Sequence, residues 1–145
     1  MIPPLEGIAG VGIIDHLGIA VRSLDAALRF YRDALGLTAG APEEVPGEGV
    51  RVVFLSMGES RLELLEPMGP ESPVARFIQK RGEGIHHVCM RVANLDAALA
   101  ALKARGVTLV PPETRMGAGG RRIAFVHPSS AGGVLIELKE YASAL

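Results

Sequence analysis

Two stretches of the chain carry the same alternation of apolar and polar positions. Ile14 to Val21 and Ile85 to Val92 are apolar runs with strand character, each broken by an inward-reading histidine, His16 in the first and His87 in the second. Ser23 and Asn94 follow, both able to cap a helix. The next segments have helical spacing: Leu24, Ala27, Leu28 and Tyr31 in one, Leu95, Ala98, Leu99 and Leu102 in the other, with Gly36 and Gly106 placed to end each helix. Shorter strand patterns come after. Val50 to Met57 and Leu62 to Glu66 flank Gly58-Glu59-Ser60, and Arg122 to His127 and Val134 to Lys139 flank Pro128 to Gly133, so both pairs read as hairpins. The two series superimpose at a constant shift of 71 residues from Ile14-Asp15-His16 through Leu28. A period this long is too great for a solenoid and indicates duplication of a half-domain. The expected fold is therefore α+β, two tandem βαβββ modules spanning about residues 13–67 and 84–141 within one domain of 1–145. Pro67 to Gly84, with a short helical pattern at Val74 to Lys80, connects them.

Composition narrows the class. With 145 residues, 48% of them apolar, the chain has enough material for one well-buried domain. Fifteen basic and sixteen acidic residues nearly cancel, and no basic stripe is present, so nucleic acid is not an expected partner. No apolar run approaches the roughly 18 residues needed to cross a bilayer. Met1 to Gly10 lacks the basic start and apolar stretch of a secretory signal, and the expected location is cytoplasmic, away from membranes. Cys89 is the only cysteine, which forbids an intrachain disulfide and reads as a packed thiol. Asn and Gln occur once each, as Asn94 and Gln79, while Arg, Pro and Glu are plentiful, a bias expected of a thermophile.

The duplication gives the polar residues of these apolar runs their meaning. Glu63 lies within Leu62-Glu63-Leu64-Leu65 and Glu137 within Leu135-Ile136-Glu137-Leu138. A carboxylate buried in such surroundings needs a cation, a proton or several donors, because leaving it unpaired costs several kcal/mol. A single strand histidine is most often a hydrogen-bonded core residue. Two histidines and two glutamates at repeat-equivalent places instead suggest one divalent metal held by His16, Glu63, His87 and Glu137, a nitrogen and oxygen set that suits zinc, cobalt, nickel, manganese or iron. His86 and His87 are neighbours on a strand and face opposite ways; alignment with His16 selects His87, leaving His86 either a supporting contact to the site or a contact with a loop. His127, beside Pro128, reads as structural.

These residues resemble the vicinal oxygen chelate superfamily and, within it, the methylmalonyl-CoA epimerases. The resemblance runs through Ile14-Asp15-His16-Leu17-Gly18-Ile19-Ala20-Val21, Glu63-Leu64-Leu65-Glu66-Pro67, Gly82-Glu83-Gly84-Ile85-His86-His87, Phe125-Val126-His127-Pro128 and Gly133-Val134-Leu135-Ile136-Glu137-Leu138. It implies a cup-shaped, incompletely closed mixed sheet around the metal with helices outside, cobalt as the ion, a homodimer, and an acyl-CoA substrate. The implied activity interconverts the two C2 epimers of methylmalonyl-CoA. The C2 hydrogen lies between a thioester and a carboxylate and is only weakly acidic, so its removal needs the developing enolate oxygen stabilised by a Lewis acid. Inversion then calls for bases on both faces.

Family members use the last-strand glutamate, here Glu137, as one base, and some carry the second carboxylate at a position that is Val52 in this chain. They often have glutamine where this chain has Glu63. A compensating exchange is expected, with Glu63 and Glu137 as both ligands and bases; Glu48 or Glu44 is the second candidate. The loop Gly117 to Arg122 offers Arg121 to a substrate carboxylate or a CoA phosphate. Three rival functions share the fold: a glyoxalase-type lyase acting on a glutathione hemithioacetal, a ring-cleaving dioxygenase, disfavoured because such enzymes usually keep two histidines and one glutamate, and a metal-free small-molecule-binding protein.

Overall fold

The computed structural model describes residues 11–141. Met1 to Gly10, on which the secretory-signal expectation rests, lie outside the described residues. The chain divides into two compact units, one of residues 16–87 and one of residues 1–15 with 88–145.

In the first unit, β1 (Ile14–Ala20, shared across the division) leads to α1 (Leu24–Leu28), the short strands β2 (Thr38–Ala39) and β3 (Glu43–Val45), then β4 (Val50–Met57), β5 (Ser60–Pro67) and α2 (Pro73–Arg81). β1 pairs with β5 in parallel, β5 with β4 antiparallel, and both β2 and β3 lie antiparallel on β4. Val53, Leu55 and Leu64 on one sheet face bury against Leu24 and Leu28 of α1. The sequence predicts an unbroken α-helix as far as Gly36. Instead α1 ends at Leu28 and the chain continues in wider π turns over Arg29–Ala34, closed by Leu35 N–H donating to the Phe30 carbonyl at 2.8 Å. Gly36 then takes φ +81°, a conformation glycine adopts at little cost, and Leu37 returns to the same core.

The second unit repeats the plan with β6 (Gly84–Val92, also shared across the division), α3 (Leu95–Ala104), β7 (Arg115–Met116), β8 (Arg122–Val126) and β9 (Ile136–Glu140). β6 pairs in parallel with β9, and β9, β8 and β7 follow antiparallel. Leu95, Ala98 and Leu99 of α3 bury against Val92, Ala124, Val126 and Leu138. Both units thus carry mixed pairing, as the α+β class predicts. The second hairpin is longer than expected: β8 stops at Val126 and β9 starts at Ile136. Between them Pro128–Ser130 form a single 3-10 turn, with the His127 ring accepting the Ser129 N–H at 3.0 Å, which gives His127 the structural part expected of it.

Register shows how closely the halves correspond. Phe54 faces Glu63 across β4 and β5, and Phe125 faces Glu137 across β8 and β9; Gly18 sits beside Glu63 and Cys89 beside Glu137. The starts of α1 and α3 are each capped twice. Ser23 Oγ accepts from Ala26 N–H at 3.2 Å and Asn94 Oδ1 from Ala97 N–H at 3.0 Å. In addition Glu66 accepts from Leu24 N–H at 2.7 Å and Glu140 from Leu95 N–H at 2.9 Å. Each closing strand therefore carries two glutamates three residues apart, which alternation sends to opposite faces. One is held at the helix start and the other, Glu63 or Glu137, is turned the other way. Among the described residues no helix is long and apolar enough to cross a membrane.

Candidate metal centre

His16 on β1, Glu63 on β5 and His87 on β6 come together in the first unit. Alternation along each strand puts them opposite the helix-covered face, and all are buried, at 1%, 5% and 4% exposure. His16 Nε2 and His87 Nε2 are 3.1 Å apart, and Glu63 Oε1 lies 3.2 Å from the first and 3.3 Å from the second. Three lone-pair atoms thus face one point. Metal bonds of about 2.0–2.2 Å to nitrogen and oxygen would separate ligand atoms by about 3.0 Å at right angles and about 3.5 Å at tetrahedral angles, so the observed spacings fit one small divalent ion. Burial opposes the charged form of Glu63, but hydrogen bonds from His16 and His87 and their positive charge outweigh it and hold the carboxyl below its ordinary range. A bound divalent ion would take the place of the imidazole protons and favour the same ionised carboxylate.

Neighbouring groups fix the imidazoles. His86 Nδ1 lies 2.9 Å from His87 Nδ1, so the expected supporting contact is present and engages the ring nitrogen away from the centre. The His86 ring itself meets Phe77 of α2 edge-on, centroids 4.9 Å apart. Phe54 meets the His16 ring edge-on at 5.4 Å and carries the Arg61 guanidinium 3.9 Å over its own ring centre. Gly18 provides the space: a Cβ there would press on the His87 ring, 2.6 Å from Nε2 and nearer still to two other ring atoms.

Glu137 occupies the equivalent place in the second unit, 6% exposed, opposite Phe125 and beside the fully buried Cys89, which packs as expected. Val52 is buried on β4. Its direct partner on β3 is Glu43, and Val52, Phe54 and Glu63 are linked by alternation and register, so Glu43 shares the sheet face of Glu63. Glu44 is exposed and pairs with Arg51, on the face that carries α1; Glu48 ends a 3-10 turn over Pro46–Glu48. Sequence reading missed Glu43 because its strand is three residues long and shows no alternation of its own.

A second missed feature lies next to His16. Asp15, fully buried, accepts from Arg91 Nε at 2.8 Å and lies 3.5 Å from Lys139 Nζ. An acidic residue inside an apolar strand run was the available signal. The Arg121 guanidinium lies 4.0 Å over the Tyr141 ring centre, and Gly117 N–H donates to the Arg121 carbonyl at 2.8 Å across a tight 3-10 turn.

Residues 15–125 match the family model of the Glyoxalase/Bleomycin resistance protein/Dioxygenase superfamily. The chain is 40% identical over 131 residues to the mitochondrial methylmalonyl-CoA epimerase of Bos taurus, covering 90% of this chain and 75% of that protein. It is 39% identical over 132 residues to the ethylmalonyl-CoA/methylmalonyl-CoA epimerase of Cereibacter sphaeroides, covering 90% and 98%. A solved structure of a Streptomyces coelicolor methylmalonyl-CoA epimerase variant, in complex with 2-nitronate-propionyl-CoA, superimposes with a TM-score of 0.86 at 38% identity, covering 92% of this chain and 97% of that one. The repeated strand-histidine and last-strand glutamate, the mixed sheets and these likenesses agree: the chain belongs to the methylmalonyl-CoA epimerase family of the glyoxalase/bleomycin resistance/dioxygenase superfamily.

Proposed function

We propose that the chain is an isomerase that interconverts the (2R) and (2S) forms of methylmalonyl-CoA and does so with a divalent metal held by His16, Glu63, His87 and Glu137. The observation that carries this reading is the meeting of three buried donor atoms, 3.1–3.3 Å apart, in a member of this family. Glu137 is the fourth ligand because its register, burial and cross-strand phenylalanine repeat those of Glu63. The donor set suits cobalt, zinc, nickel or manganese.

The ion supplies positive charge where negative charge develops as the C2 proton leaves. The chain's own residues do the rest. One glutamate takes the C2 proton onto a carboxylate oxygen, and a second acid on the opposite face returns a proton to the carbon, so that the configuration inverts with no net change in atoms or charge. Glu137 is one of these groups. Glu63 is the other, with Glu43 the alternative that the β3–β4 register favours over Glu44. Burial of the centre keeps bulk water from the carbanionic carbon.

Purified protein is to be assayed with each epimer of methylmalonyl-CoA, with ethylmalonyl-CoA, and with methylglyoxal plus glutathione, before and after dialysis against a chelator. Epimerisation that is lost on chelation and restored by one ion supports the proposal. Turnover of the hemithioacetal instead would identify a glyoxalase-type lyase, and a protein that retains no metal would be a binding protein.

A further inference from the structure

The Phe54 ring joins two groups that the chemistry above leaves unconnected. It meets the His16 ring edge-on, centroids 5.4 Å apart and planes at 77°, and on its face lies the Arg61 guanidinium at 3.9 Å. Register brings them together. Arg61 pairs with His16 across β1 and β5, Phe54 pairs with Glu63 across β4 and β5, and Arg61 and Glu63 are two residues apart on β5, so all four side chains share one sheet face. The second unit holds a stack of the same kind, reached by a different route. Phe125, the cross-strand partner of Glu137, carries the Arg115 guanidinium 5.3 Å from its ring centre, and Arg115 comes from the short strand β7. The residue two places before Glu137, the counterpart of Arg61, is Leu135. Duplication therefore does not account for both arginines; what recurs is a cation on the phenylalanine beside each glutamate.

We propose that Arg61 is a positioning residue for the metal centre: it holds the Phe54 ring, and the Phe54 ring fixes the plane of the His16 imidazole. The second torsion of a histidine side chain is broad, so its own preference does not keep the ring within the roughly 0.2 Å that metal bonds tolerate. His87 gains restraint from the contact of its Nδ1 with His86. His16 gains it from the wall that Phe54 presents. A guanidinium is drawn to the negative face of an aromatic ring and stacks on it, which restrains a phenylalanine that is only half-buried. Charge and position act in opposite directions here. A cation close to the centre repels a divalent ion, so if its charge alone mattered, removing Arg61 would tighten metal binding. Positioning makes the same change weaken it.

This inference rests on the metal-centre reading above, and two measurements keep their failures apart. Cobalt affinity and the visible absorption of the cobalt-loaded protein are compared for wild type, Arg61→Met, Arg61→Lys, Phe54→Leu and the double variant Arg61→Met/Phe54→Leu. Histidine side-chain NMR spectra are recorded on the same proteins without metal. Phe54→Leu is expected to weaken cobalt binding about tenfold, the lower end of what outer residues that orient a ligand histidine contribute. Arg61→Met should weaken it about three- to fivefold, change the cobalt absorption bands, and add nothing further to Phe54→Leu, because its effect runs through that ring. Arg61→Lys, which keeps a cation for the ring face, recovers most of the loss. In the metal-free spectra the His16 ring signals are sharp for wild type and broadened by exchange for Arg61→Met and Phe54→Leu. Cobalt bound by Arg61→Met as tightly as by wild type, or more tightly, overturns the proposal, as does a loss that adds in full to that of Phe54→Leu. If Phe54→Leu does not fold, the Arg61 variants decide the matter by themselves. Should wild type bind no cobalt while its His16 signals behave as described, the positioning role stands and the metal assignment falls; His16 signals that are alike in all the proteins overturn the positioning role.

Discussion

Gly18 is the position at which one added carbon should have the largest effect for its size. Its φ is not positive, so alanine meets no backbone penalty and the outcome depends on space alone. A Cβ would lie 2.6 Å from His87 Nε2, against the roughly 3.5–4.0 Å at which non-bonded carbon atoms rest. The imidazole must therefore retreat by about 1 Å, whereas metal bonds tolerate only about 0.2 Å. Because both Gly18 and His87 lie on sheet strands, the ring rather than the backbone gives way. Overpacking of this kind costs about 1–3 kcal/mol, which for a chain of this size lowers the melting temperature by about 3–10 °C. The greater loss is in metal binding. An ion at a thousand times its dissociation constant stabilises a folded protein by about 4 kcal/mol, and Gly18→Ala should forfeit most of that gain. Thermal melts of wild type and variant, each with chelator and with added cobalt or zinc, read both quantities. Cys89→Ala, at the repeat-equivalent site, is the control, since it removes a packed thiol and leaves the metal-induced rise in place. A Gly18→Ala protein that melts with the same metal-induced increment as the wild type would refute the reasoning.

Replacing His86 by Ala removes the contact to His87 Nδ1 and should weaken metal binding about 10- to 100-fold with the fold retained, as titration calorimetry and circular dichroism would show. Glu63→Gln and Glu43→Gln distinguish the second base: the one that matters should abolish epimerisation while leaving solvent-deuterium exchange at C2 for one epimer, and the other should change neither by more than a few-fold. The Asp96–Arg122 ion pair, 2.7 Å, holds the Asp96 carboxyl below its ordinary range through a hydrogen bond and the charge of Arg122. A depressed carboxyl contributes stability above its unfolded value of about 3.8 and loses it as pH falls through the folded value. The melting difference between wild type and Asp96→Asn should therefore be constant from pH 5 to about 8 and shrink as pH falls below 3.8, and a difference that does not shrink in acid would count against the pair.

How much of this was legible in the sequence follows from element length. Strands of seven to nine residues such as β1, β4 and β6 show their alternation, and duplication doubled the signal, so His16, Glu63, His87 and Glu137 could be selected together. β2, β3 and β7, at two or three residues, are too short to alternate, and with them Glu43 escaped notice. The π turns after Leu28 were invisible because apolar spacing is the same for the first turns of either helix. Glu66 and Glu140 resemble surface charges in sequence, since what makes them caps is a strand laid beside a helix start far away in the chain.

Those two caps tie a strand's register to the identity of the residue it offers to the metal. If β5 slipped by one residue, every side chain would change faces: Glu66 would leave the Leu24 N–H and Glu63 would turn into the apolar layer under α1. The penalty for misalignment is thus charged at two sites simultaneously, at the helix start and at the cluster of donor atoms. Register along β5 is therefore fixed from both of its faces, by a cap on one and by the paired histidines on the other.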